Sequence, residues 1–443
     1  MESTKSTKNT KRRFGIVALT TAVLLSGATA GTSAHAADLG GNCCADLEER
    51  IAELEATTAR KGNRTVSLKI SGWVNEAVFG WDDGTESNVY VGTNNLEQSR
   101  FRFTGEAKIS NDWSAGYTIE VGVWGRDSSR WNQFGPGDQS NPSSTALHDY
   151  GLQLRKSNWY LKSKRLGKVT VGLEGTATYH LLDDANITNT RPVDDAEAPA
   201  VYQGSFLIRS GGQFVNNLRW NDVERGFNNG TPGQSGRRDI VRYDSPEFAG
   251  FAVATSWGED DLWDAALTYK GEFNGIKLAG RVGYGQSTDP AGTGTSCGGP
   301  KDGFKCTWWG AAGTVMHVPT GLYLYGGHGE QDIDSLPANL DGTSTTWFIQ
   351  PGIQRKWLPL GDTTIYAQYR KDNDGANPGK TLDADLKFWS TGIVQEIDAA
   401  AMSLYVMYRH ADGSFVTPTA VNGSTFHSID TFQQVIGGAQ IKF

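Results

Sequence analysis

From Asn63 onward the chain keeps a period of two, and its connections are short and long by turns. Val66, Leu68, Ile70 and Val74 alternate with Thr65, Ser67, Lys69 and Ser71. Tyr117, Ile119, Val121 and Val123 alternate with Gly116, Thr118, Glu120 and Gly122. Ile365, Ala367 and Tyr369 alternate with Thr364, Tyr366, Gln368 and Arg370. Alternation of this kind is the mark of strands with one apolar and one polar face. Short turns recur at 110–112, 164–167, 245–248, 274–275, 319–321, 359–361 and 398–399. Longer polar connections lie near 82–97, 127–149, 176–236, 258–262, 287–306, 330–344, 372–384 and 411–430. They join about sixteen strands of roughly 9–13 residues. An even strand count with short turns on one side and long loops on the other describes a transmembrane β-barrel. The fold expected is all-β: a sixteen-stranded antiparallel barrel over 63–443. A mean hydropathy of −0.44 does not oppose this, because alternating strands average out.

The N-terminal 36 residues read as a secretion signal. Lys5, Lys8, Lys11, Arg12 and Arg13 precede an Ala/Val/Leu-rich run over 14–30, and Ala34-His35-Ala36 supplies a small-x-small cleavage site. The leader carries those five cations and Glu2, so its removal takes the formal net charge from −8 to −12. An acidic chain of this kind argues against nucleic acid as a partner. Export permits disulfides. Cys297 and Cys306 bracket a Gly/Pro-rich loop and form a plausible local pair, while Cys43 and Cys44 are adjacent and either join two chains or stay free. Residues 37–62 suit a short periplasmic helix. Cys44, Leu47, Ile51, Leu54 and Thr58 fall in steps of three and four. Carboxylates come early and Arg60 and Lys61 late, as a helix dipole favours.

Eleven tryptophans, among them Trp73, Trp81, Trp113, Trp159, Trp257, Trp308 and Trp389, fall largely near strand ends, where amphipathic rings sit at bilayer interfaces. Singly, each is equally an ordinary sheet aromatic. The last run, TFQQVIGGAQIKF, alternates to its terminal Phe443 and must pair with the first strand if the barrel is to have no edge.

The stretch from CCADLEERIAELEATTARK through SLKISGWV, together with the terminal GAQIKF, resembles alphaproteobacterial outer-membrane general porins over essentially the whole mature chain. The resemblance implies a homotrimer of sixteen-stranded barrels in the outer-membrane lipid. Each would be a water-filled pore for small hydrophilic solutes and ions, with its third long loop folded inside. It also implies that the barrel assembly machinery reads the terminal Phe443.

That third loop is the stretch 175–238. It carries Asp183, Asp184, Asp194, Asp195 and Glu197. By parity, Arg100, Arg102, Arg155, Arg238, Arg242, Arg281 and Arg370 face inward from the wall. Opposed charges across a narrow lumen would form a constriction with a transverse field and bias ion passage. Each of these residues is equally well read as an ion pair that holds the loop to the wall. Adjacent carboxylates such as Asp194 and Asp195 would raise one another's pKa. Residues 204–218 alternate and suit a short strand or helix.

Chemistry other than transport finds little support. Gly294-Thr295-Ser296-Cys297-Gly298 matches a nucleophile-elbow pattern, but lies in a Gly-rich loop without the strand–turn–helix context that the elbow needs. The 375–381 run is one residue short of a phosphate-binding loop and precedes a strand. No histidine pair has metal-ligand spacing, so no metal, cofactor or catalytic residue is expected. Two alternatives stand beside a general pore: a channel selective for sugars or anions, and a secreted all-β binding protein with apolar strand faces turned inward.

Overall fold

The computed structural model describes residues 66–136, 151–224, 231–258, 261–288, 305–334, 336, 340–377, 379–419 and 423–443. Its strands are β1 (Lys69–Asp82), β2 (Ser87–Thr93), β3 (Arg100–Lys108), β4 (Trp113–Trp124), β5 (Gly151–Ser163), β6 (Gly167–Gly175), β7 (Leu207–Ser210), β8 (Gln213–Arg219), β9 (Arg237–Asp244) and β10 (Phe251–Gly258). They continue with β11 (Leu262–Phe273), β12 (Ile276–Ser287), β13 (Cys306–His317), β14 (Leu322–Ile333), β15 (Ser344–Leu358), β16 (Gly361–Asp374), β17 (Asp383–Ile397), β18 (Met402–Pro418) and β19 (Ser424–Lys442).

All but β7 and β8 belong to one antiparallel sheet. β2 pairs with the Glu76–Asp82 half of β1 and β3 with its Lys69–Trp73 half, so the two occupy one position in the wall. The wall therefore has sixteen positions, as the alternation of turns and loops predicts. It closes through β1 and β19, which pair from Trp73↔Lys442 to Asp82↔Gln433. Gly72 and Phe443 exchange both backbone hydrogen bonds at the seam, at 2.9 and 3.0 Å. Closure satisfies every edge, the condition for a sheet that crosses a bilayer.

The seven short turns all connect the expected strands at one end of the barrel. The long connections are shorter than the composition suggests. Residues 87–93 within 82–97 are strand β2, and most of 411–430 is the extended hairpin of β18 and β19, the latter 19 residues long. Polar residues there continue the ladder instead of breaking it, because strand pairing above the apolar band needs no apolar face.

The sheet is inside-out relative to a soluble β domain. Val74, Val241, Leu267, Val282, Val315, Ile365, Ile393 and Val406 are exposed on the outer face. Asp264, Gln350, Gln368, Arg370, Arg409 and Gln434 are buried on the inner one. An apolar exterior around a polar interior suits lipid outside and rules out the sandwich with apolar faces turned inward. Trp113, Trp159, Trp257, Trp263, Trp309, Trp357 and Trp389 lie on the outside, as a girdle requires. Trp81 and Trp308 do not: both point inward and are almost wholly buried. Parity decided their side, and position near a strand end did not.

Candidate functional site

Between β6 and β9, residues 176–224 and 231–236 fold inside the barrel. Three wall side chains turn the chain inward where it leaves β6. Asp264 on β11 accepts the backbone N–H groups of Ala177 and Thr178 at 3.1 and 2.7 Å, and the Thr178 hydroxyl at 2.6 Å. Arg242 on β9 donates to the carbonyls of Gly175 and Thr176 at 2.9 and 2.8 Å. Arg281 on β12 donates to those of Ala177 and His180 at 3.1 and 3.0 Å. Nearby backbone groups that would otherwise be buried without partners thus find wall partners.

The loop then crosses to the opposite wall. Tyr325 on β14 donates to the Leu182 carbonyl at 2.8 Å, and Thr314 on β13 to that of Ala185 at 2.6 Å. Asp194 pairs with Arg409 on β18 at 2.5 Å and accepts from Ser390 on β17. Arg370 on β16 donates to the Ala196 carbonyl and is paired with Asp372 at 2.8 Å. A short helix, Ala198–Gln203, follows with every residue buried. The alternating stretch near 204–218 is the hairpin β7–β8, and a second short helix, Trp220–Val223, follows it. Arg209 on β7 pairs with Asp83 at 2.7 Å, and the backbone N–H groups of Gly211 and Gly212 donate to the Asp430 carboxylate at 2.9 and 2.6 Å.

Apolar packing reinforces these ties. Tyr202, Phe206 and Trp220 of the loop share a buried cluster with Phe79, Trp81, Trp131, Phe388 and Phe432. On the way back, Pro232-Gly233 lies flat on the wall over Gly310 and Gly329. Gly233 has φ +88°, and a Cβ on Gly329 would stand 2.0 Å from the Pro232 carbonyl oxygen. Only glycine on both surfaces permits so close an approach.

The residues proposed from the sequence divide by place. Asp183, Asp194, Asp195 and Glu197 are buried within the loop or under it. Asp183 accepts the Ala196 N–H at 2.9 Å, Asp195 the Glu197 N–H at 2.8 Å, and Glu197 the Gln234 amide at 2.9 Å. Asp184 alone of the five keeps an appreciably exposed side chain, between Arg191 at 2.7 Å and Arg281 at 2.6 Å. Burial works against its charge, but the two guanidiniums hold its pKa down to about 2. Asp195 is pushed well up, first by burial and then by Asp183 and Glu197. Its like-charged partners are thus these two and not Asp194, whose own upward shift comes from burial and is opposed by Arg409.

Of the wall arginines, Arg370 is sealed beneath the loop. Arg100, Arg102 and Arg155 converge on Glu120 of β4, which is 1% exposed; Arg100 lies at 3.5 Å and Arg155 at 3.0 Å. A register shift between β4 and β5 after Glu120 re-aims Arg155 and Lys156 so that both reach inward carboxylates. Arg242 and Arg281 face the start of the loop. Arg238 donates to the Arg237 carbonyl at 3.1 Å. Arg191, Arg409, Asp264 and Asp372 were not foreseen. Parity would have found Arg409, since Tyr405, Met407 and Arg409 alternate with Val406 and Tyr408.

Between the loop and the β5–β6–β9–β12 side of the wall lies a cavity of about 320 Å³. Tyr179, His180 and Asp184 line it from the loop, and Lys156, Lys168, Glu174, Arg242 and Arg281 from the wall. Among the described residues, His180, Asp183 and Glu197 form the one group of metal-ligand types. His180 Nδ1 is 3.1 Å from Asp183 and 3.3 Å from Glu197, so the three are internally paired. Cys306 is disulfide-bonded, and Cys297 lies outside the described residues, as do the leader, the 37–62 segment and the 294–298 motif.

A family model described as Gram-negative porin matches residues 18–430. No curated protein sequence matches. Among solved structures, the chain is similar to the anion-selective porin from Comamonas acidovorans at 16% identity and TM-score 0.54, covering 85% of this chain and 100% of that one. It is similar to Salmonella typhi OmpF in complex with daunomycin at 14% identity and TM-score 0.52, covering 86% and 99%. OmpT of Vibrio cholerae gives 12% identity and TM-score 0.51, covering 86% and 99%. At these identities the likeness concerns the fold.

Proposed function

The chain belongs to the Gram-negative porin family, and from that premise we propose that the 176–236 loop is the constriction of its channel. The protein is an outer-membrane porin, a barrel through which small hydrophilic solutes and ions diffuse passively. One observation carries the reading of the loop. It leaves the top of β6, crosses the interior, and is tied to the far wall through Arg370, Arg409 and Tyr325. A segment so anchored narrows the lumen and leaves a cavity against the β5–β6–β9–β12 side of the wall.

The resemblance of the N-terminal segment supports membership of the alphaproteobacterial general porins. On that reading, residues 1–36 are the cleaved leader, 37–62 a periplasmic helix and 63–443 the barrel. Cys297 is the partner of Cys306, and the terminal Phe443 is read by the barrel assembly machinery. The assembly is a homotrimer. Glu76 supports this: its carboxylate lies on the outer face of β1 between exposed Val74 and Val78, and accepts from Thr93 at 3.0 Å. Lipid solvates such a group poorly, whereas a neighbouring subunit covers it. There is no catalysis in this account, and neither a cofactor nor a nucleic acid takes part.

Liposome swelling tests the function. Vesicles holding the folded protein should swell with small neutral sugars and progressively less with larger ones. Swelling no faster than in protein-free vesicles would reject the diffusion pore.

A further inference from the structure

We infer that the channel prefers small anions to cations, because around the cavity between loop and wall the basic side chains outnumber the carboxylates they pair with. This inference rests on the porin reading and supplies its substrate class.

The charges separate by accessibility. The acidic residues of the loop are largely spent: Asp183, Asp194, Asp195 and Glu197 are nearly inaccessible. The far wall is likewise sealed, with Arg370, Asp372 and Arg409 at 1% exposure each. On the accessible side, the cavity between loop and wall carries Lys156, Lys168, Arg242 and Arg281 against Glu174 and Asp184. Both of those carboxylates are engaged, Glu174 by Lys156 and Asp184 by Arg191 and Arg281. Asp244 at the edge of this group pairs with Arg242 at 2.7 Å and Lys168 at 3.6 Å. Beside it, Arg100, Arg102 and Arg155 share the single buried carboxylate of Glu120. Glu97, 3.5 Å from Arg100, is itself matched by Arg191 at 3.0 Å.

Lys168 and Arg102 keep about a third of their side-chain surface open, at 38% and 33%, so a passing ion meets them directly. Charges farther off matter less, since the screening length is about 8 Å at physiological ionic strength. The net acidity of the chain therefore does not set the sign of the field where the passage is narrow. Rings of Arg and Lys select for anions on the same principle by which carboxylate rings select for cations.

The test is the reversal potential of reconstituted full-length barrels across a potassium chloride gradient. The expected potential has the sign of chloride permeation, and the double variant Arg102→Gln, Lys168→Gln shifts it toward zero. The charge-keeping pair Arg102→Lys, Lys168→Arg leaves it in place. Heat-modifiable gel migration confirms that each variant is folded. A potential of cation sign overturns the inference, as does an unchanged potential in the neutral double variant. An equal shift in the charge-keeping pair does so too, since it would make shape and not charge the cause. Folded protein with no conducting steps would overturn the porin reading, and this inference with it.

Discussion

Replacing Asp194 by Asn should free the middle of the loop while leaving the barrel intact. Asp194 and Arg409 form a pair at 2.5 Å whose side chains are 0% and 1% exposed. Arg409 has no further partner for its Nε or Nη1. Neutralising the acid therefore leaves a buried guanidinium without its counter-charge, and breaking a buried pair in this way costs about 3–5 kcal/mol. The wall keeps its own strand ladder, so the cost falls on local opening of the segment around 190–197 and not on global unfolding. At about 1.4 kcal/mol per decade, the open population rises roughly two to three and a half orders of magnitude. Native-state hydrogen exchange on the folded protein reads this directly, as lost protection of the Val193 and Asp194 amides, which donate to the Thr190 carbonyl. Strand amides in β16–β18 should be unaffected. The double variant Asp194→Leu, Arg409→Met should recover most of the protection, because it removes both charges. Loop protection within tenfold of the parent in the single variant would refute the claim that this pair anchors the loop.

Asp264→Ala removes the acceptor for two backbone N–H groups and a hydroxyl at the start of the loop. At about 1–3 kcal/mol for each buried group left unsatisfied, it should expose residues 176–182 to limited proteolysis. Intact loop digestion patterns would count against it. Gly329→Val places side-chain atoms against the Pro232 carbonyl and should lift the returning strand of the loop off β14, read as larger and noisier conductance steps; unchanged steps would contradict the close approach. Loop tightness should also depend on pH in two limbs. Burial, opposed by Arg370 and aided by Asp372, pushes Glu224 up to about 8. Its folded value exceeds the ordinary 4.5, so its contribution is full below that pH and lost as pH rises through about 8. Asp184 is the opposite case, held at about 2, so its contribution is present above 3.8 and lost as pH falls toward 2. Hydrogen exchange corrected for intrinsic pH dependence should find the loop tightest near pH 4, and Glu224→Gln should reduce the alkaline limb, to which Asp195 also contributes, while leaving the acid limb in place. An alkaline limb unchanged by this substitution would sink the assignment.

The barrel was legible because its signal is repeated. Sixteen wall positions each carry a period of two, and turn length alternates along the whole chain, so single errors of boundary do not change the count. Closure at Phe443 followed from the need to leave no edge. The errors came where neighbours are distant in sequence. Trp81 and Trp308 were read from their place near strand ends, yet facing direction settles where a side chain goes. The loop carboxylates were visible as a cluster, but their burial was not. Asp194 finds Arg409 215 residues away, and nothing local to either reports that meeting. Asp184–Arg281 is a salt bridge at which a proposed loop acid meets a proposed wall base directly. Arg155 and Lys156 both turn inward because of a register shift, which strict alternation cannot foresee.

The central claim is a closed barrel that conducts past a loop fixed within it. Planar-bilayer recording of the folded protein tests it most directly. The account predicts discrete, uniform conductance steps that grow larger and noisier in Asp194→Asn, as the loop comes away from Arg409. Folded barrels that yield no steps, or steps identical in the parent and in a variant whose loop has lost its protection, would contradict it.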